Sequence, residues 1–313
     1  PTDADSYYLT ADVTLSATWT VPTGETQLCL NGHSITYSND QTPGSVIKVP
    51  EEATLTITDC AQYPGQITGG TGIYYQVYDG YTIDLDDYYG GGIVIDEGTL
   101  NFYGGSITKN DVTFNTANPD GYGGGVFNKG GTFNMYGGTI TENITTGEGS
   151  AVLCYGGEFN LYGGTIANNE MKEQRHGWGA VSLSGNADMT MTGGEISDNT
   201  GGYYTIGVMV EKSEFTISDS ALIKGHEIGV YCRDEASFSM NGGKVTSTGN
   251  SVFLTDHPTM TMTAGEISSS GGHGIYMSLW SEPLTVSGGK ITGANNSSSY
   301  GICIDRANDK NMI

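Results

Sequence analysis

The chain has 313 residues, of which 49 are glycine and 8 proline. Its 36% hydrophobic content suffices for a core only if the glycines mark turns rather than disorder. Thirty-five acidic residues against twelve Lys and Arg give a net charge of −23, which repels phosphate backbones and excludes nucleic acid as a partner. No apolar run approaches the roughly 18 residues of a membrane-spanning helix. The five cysteines lack Cys-x-x-Cys spacing, which argues against zinc, and their odd number argues against a disulfide framework.

Taken in chain order, residues 1–26 are expected to cap the fold, 27–304 to form its coils, and 305–313 to end a trimmed piece of a longer protein with further domains. Residues 27–35 open a repeat that returns at 55–57 and then almost verbatim. Residues 99–107 read Thr-Leu-Asn-Phe-Tyr-Gly-Gly-Ser-Ile, 132–140 Thr-Phe-Asn-Met-Tyr-Gly-Gly-Thr-Ile, and 158–166 Glu-Phe-Asn-Leu-Tyr-Gly-Gly-Thr-Ile. Weaker copies occupy 188–196, 214–222, 237–245, 259–267 and 283–291.

Ahead of each copy lies a second apolar pattern. Ile93, Val126, Val152, Val181, Val208, Val230, Val252, Ile275 and Ile302 form one inward column, each preceded by Gly, Ala or Ser. Two residues on, Ile95, Cys154, Leu183, Val210, Cys232, Leu254, Met277 and Ile304 form a second, interrupted by Asn128. Period-two alternation is what a sheet buried on one face requires. Between the columns, Val94, Phe127, Leu153, Met209, Tyr231, Phe253 and Tyr276 are expected to make an outward apolar stripe, either covered by a flanking segment or in contact with a partner domain or glycan. Asn110, Asn143, Asn169 and Asn199, each three residues after an Ile, are expected to stack as a column between coils. Stacked short strands with no hairpin turns and no helical period specify an all-β parallel β-helix of about nine or ten coils, right-handed by the crossover rule.

The repeats from 28 to 304 resemble the pectin-lyase-like superfamily of right-handed β-helices, and more narrowly the Tyr-Gly-Gly-Thr-Ile-Thr-x-Asn repeats of large surface proteins from gut Firmicutes. The resemblance implies an extracellular, cell-surface location and a role as adhesin or glycan binder, with a host glycoprotein as partner. The superfamily also contains polysaccharide lyases and glycoside hydrolases, so an enzyme remains the alternative.

Inserted connections at 68–91, 108–124, 167–179 and 197–206 are where chemistry is expected, on one edge of the solenoid. They gather Tyr88, Tyr89, Tyr122, Glu173, Arg175, His176, Trp178, Tyr203 and Tyr204, a set suited to stacking on sugar rings and hydrogen-bonding their hydroxyls. The bland alternative is that the tyrosines pack the loops down while the acids stay solvated. Asp79, Asp84, Asp86 and Asp87 supply carboxylates for paired-acid glycoside hydrolysis, as implied by resemblance to β-helical glycosidases of the lacto-N-biosidase type. The same acids suit Ca²⁺. Gly272-His273-Gly274 is similar to a polygalacturonase motif, but the downstream Arg-Ile-Lys of that family is absent.

Overall fold

A computed structural model describes residues 3–39, 41–76, 86–113, 120–172, 179–278 and 284–305, and over these the chain is an all-β parallel solenoid. No helix long and apolar enough to cross a membrane occurs among the described residues.

One face of the solenoid is a sheet of eleven parallel strands running from Trp19–Thr20 to Ile302–Ile304. Its register follows the repeat: Ile93 pairs with Val126, Val126 with Val152, and Val152 with Val181. The other faces form a larger parallel sheet that holds the Tyr-Gly-Gly motif as two strands, such as Thr99–Phe102 and Ser106–Thr108. The bend between them needs the left-handed backbone that glycine adopts without strain, as at Gly105 (φ +94°) and Gly138 (φ +75°). Stacking begins early: Ser6–Tyr8 pairs with Gly24–Cys29, and Val13–Leu15 with Ile35–Tyr37.

Both inward columns are fully buried from Ile93 to Leu254, and inside them Phe133 stacks on Phe159 at 4.7 Å. Each buried side chain of this size contributes ~1.5–3 kcal/mol, offset largely by the cost of ordering the chain. Cys154 and Cys232 sit among them as small hydrophobes. Asn128 interrupts the second column without an unmet hydrogen bond. It donates to the Gly131 and Glu158 carbonyls at 3.1 and 2.9 Å and accepts the Gly131 N–H at 3.0 Å.

The asparagine column forms as expected, and it lies inside the fold. Asn110 donates through Nδ2 to Asn143 Oδ1 (2.8 Å), Asn143 to Asn169 (2.9 Å) and Asn169 to Asn199 (2.9 Å), all four residues being buried. The residue before each adopts a left-handed turn: Lys109, Glu142, Asn168 and Asp198. His226 takes the next position, after Gly225, with Nε2 3.2 Å from Asn199 Nδ2. The column explains the small residues beside it. A Cβ on Gly92 would stand 2.6 Å from the Gly125 carbonyl oxygen and 3.0 Å from Asn110 Nδ2.

Candidate functional site

The outer face of the eleven-stranded sheet carries the apolar stripe, and its two halves have different fates. In the N-terminal half the strand Ile73–Gln76 pairs antiparallel with Asp86–Tyr89, which in turn pairs with Gly121–Tyr122. This small sheet lies over the solenoid. Val94, Phe127 and Leu153 are buried beneath it, packed against Tyr75, Tyr89 and Tyr122. Of the outcomes open to the stripe, cover by a flanking segment is the one found here, because the long insertion folds back and removes that apolar surface from water.

The cover is also pinned by charge. Asp96 accepts from Lys48 and Lys129, each at 2.7 Å, and Tyr75 donates its hydroxyl to the same carboxylate at 3.2 Å. Burial pushes the Asp96 carboxyl up, but the two ammonium groups outweigh it and hold it below the usual range.

The described residues among those expected to act on a ligand fall into two groups, one around Tyr88, Tyr89 and Tyr122 and one at Tyr203 and Tyr204. Tyr88 packs edge-on to Tyr74, and Tyr89 stacks on Tyr122 at 5.1 Å. Desolvation, reinforced by neighbouring carboxylates, raises the hydroxyls of Tyr89 and Tyr122 well above the ordinary tyrosine range. Asp87 is buried, and its Oδ1 accepts the Asp120 N–H at 3.0 Å, tying two loop segments together. Asp86 is placed only through its backbone pairing with Gln76. Asp79 and Asp84 lie outside the described residues, as do Glu173, Arg175, His176 and Trp178. Among the described residues, no group of three or more His, Cys, Asp or Glu is arranged to hold a metal ion.

In the C-terminal half the connections are short, and beyond the buried Met209 the stripe residues Tyr231, Phe253 and Tyr276 are only half-buried. A cleft of about 530 Å³ forms there, with Tyr203 and Tyr204 on one side, Tyr231 and Phe253 within it, and Asn250 and Arg233 among its polar groups. Tyr203 and Tyr204 stand exposed, ring centroids 4.8 Å apart and nearly perpendicular. Tyr231 and Phe253 meet edge to face at 5.1 Å. From Phe253 the aromatic strip continues to Tyr276 (4.9 Å), then to His273 and Tyr300, whose rings are parallel within 5°. His273 accepts the Tyr300 N–H through Nδ1 at 3.1 Å and so serves the strip rather than a polygalacturonase-like centre.

One wall of the cleft is charged. Arg233 Nη2 lies 2.7 Å from Glu211 Oε2, and Arg233 Nε lies 3.6 Å from an Asp234 oxygen. In the field of this pair lies the half-buried Glu148. Desolvation pushes its carboxyl up to about 8, with Glu211 adding like charge and Arg233 opposing.

Of the residues expected to bind, Tyr203 and Tyr204 reach this cleft. Tyr231 and Phe253 were legible only as part of the stripe. Arg233 and Glu211 carried one faint signal, the same register position on adjacent strands. Glu148 carried none. Comparison with protein-family models, curated proteins and solved structures finds no match to this chain.

Proposed function

We propose that the chain is a glycan-binding, adhesin-like module of a bacterial cell-surface protein, and that the open aromatic cleft is its binding site. The carrying observation is the cleft itself: four aromatic rings, two of them exposed, beside the polar groups of Glu227, Asn250 and Arg233. Sugars present apolar C–H faces and a rim of hydroxyls, so rings and hydrogen-bonding groups within one concavity match them. A net charge of −23 favours neutral or cationic glycans over polyanionic ones. The surface location rests on composition and on the resemblance of the repeats.

A glycan array run with and without Ca²⁺ tests the reading, and a blank array under both conditions overturns it. Tyr204→Ala removes an exposed ring and leaves the core untouched. It is expected to weaken binding about tenfold, or ~1.4 kcal/mol, at unchanged thermal stability.

One observation favours a second reading, glycoside hydrolysis. Desolvation raises the Glu148 carboxyl to about 8 in the field of the arginine-paired Glu211, and a raised carboxyl near a second carboxyl is what such hydrolysis uses. On this reading Glu148→Gln abolishes turnover of any glycoside the protein cleaves while binding survives. Undiminished turnover in that variant removes Glu148 from the mechanism.

A further inference from the structure

Strand Gly24–Cys29 pairs in register with Ala53–Thr58 of the following coil. Cys29 ends the first, and Cys60 lies two residues beyond the second. Two cysteines separated by 31 positions thereby arrive at one corner of the solenoid with their sulfurs 3.3 Å apart. The corner is held firmly by Asp59. Its Oδ1 accepts the N–H groups of Gly32 (2.9 Å) and Ala61 (3.2 Å), and its Oδ2 that of Gly65 (2.5 Å).

We propose that Cys29 and Cys60 form a disulfide that staples these two coils. An S–S bond of about 2 Å requires only a small rotation of side chains already in contact. Cys60 is exposed and Cys29 half-buried, so a soluble oxidant reaches the pair. The other thiols are badly placed: Cys154 and Cys232 are buried in the core on separate coils, and Cys303 stands at the far end of the solenoid. The odd count that argued against disulfides thus reflects three cysteines with other positions and one matched pair.

Burial pushes the Cys29 thiol up, but hydrogen bonds from Cys60 and from nearby groups outweigh it and hold it below the ordinary thiol range. Such an environment favours the thiolate needed for exchange. The oxidant is a small-molecule disulfide of the glutathione type. One cysteine thiolate attacks it, forming a mixed disulfide and expelling one thiol equivalent. The second thiolate then attacks the protein sulfur of that mixed disulfide and expels the other. Two electrons pass to the oxidant, and the two protons lost by the cysteines end on the two released thiols.

The test equilibrates the full chain in a mixture of reduced and oxidised glutathione, then denatures and alkylates it. The expected result is three of the five cysteines alkylated, a peptide linking Cys29 to Cys60, and slower proteolysis of the 24–60 region than in reduced protein. Cys29→Ser and Cys60→Ser should each leave four alkylated cysteines and abolish the link. Five alkylated cysteines under oxidising conditions, or a dominant link through Cys303, overturns the proposal. The outcome is independent of whether the cleft binds a glycan.

Discussion

Replacing Asn143 with alanine should destabilise the protein by about 3–5 kcal/mol, among the largest effects of any single polar substitution in it. The side chain makes four buried hydrogen bonds. Oδ1 accepts the backbone N–H of Asn110 at 3.2 Å and its Nδ2 at 2.8 Å, while Nδ2 donates to the Ile107 carbonyl at 3.0 Å and to Asn169 Oδ1 at 2.9 Å. Truncation strands the buried Asn110 N–H and takes a donor from the Ile107 carbonyl, while Asn169 Oδ1 keeps the backbone N–H of residue 143 at 3.1 Å. A second asparagine run provides the control: Asn134 bridges Asn101 and Asn160 at 2.9 and 3.0 Å, but at half-exposed outward positions. Asn134→Ala should cost about 1 kcal/mol or less, because water takes over its bonds. Urea denaturation of both variants measures the contrast, and equal losses would show that the interior column is not special.

Acid should unlock the fold at His226. This side chain is fully buried, and burial drives its pKa down to about 4 from 6.5, against a small opposing pull from Asp198. Its Nε2 accepts from the backbone N–H and Nδ2 of Asn199, so a proton on that atom displaces the bonds that continue the column. The folded pKa is depressed, so the unfolded chain gains a proton below pH 6.5 that the folded chain refuses until about 4. Stability is therefore complete above 6.5 and declines as pH falls, by about 3 kcal/mol in all. His226→Asn supplies the residue type that the preceding coils use and removes the titration. Denaturation midpoints at neutral pH and at about pH 4 should converge for the variant relative to the parent. A variant that loses as much stability as the parent would assign the acid response to other groups.

The architecture was legible in the sequence because one-sided burial forces it into the open. A strand that buries alternate residues must alternate, and parallel stacking in register repeats the alternation at Ile93, Val126 and Val152. The asparagine column was legible for a similar reason, a fixed offset of three residues from an inward isoleucine. His226 keeps that offset from Ile223 but changes residue type, which hid its membership in the column.

The site was far less legible. Whether Phe127 or Phe253 meets water depends on where the Asp86–Tyr89 segment folds back, and that is a packing decision between residues distant in sequence. Loop tyrosines read equally well as ligand platforms or as packing. Tyr89 is packed down and Tyr203 stands exposed, a difference that the residue type alone does not announce. The approach of Cys29 to Cys60 depends on the length of the intervening coil rather than on any motif.

The fold-back of that hairpin also sets a length scale. It seals the outer face over the coils of Val94, Phe127 and Leu153, and the open strip starts only near Tyr231 and runs through Phe253 and Tyr276 to Tyr300. Rungs of a sheet stand about 4.8 Å apart, so four of them offer a track of about 14 Å. On the proposed glycan-binding reading, a track of that size suits a short oligosaccharide. If the proposed glycan reading holds, affinity should stop rising once an oligosaccharide outgrows that track, because the coils of Val94, Phe127 and Leu153 offer it no open rings.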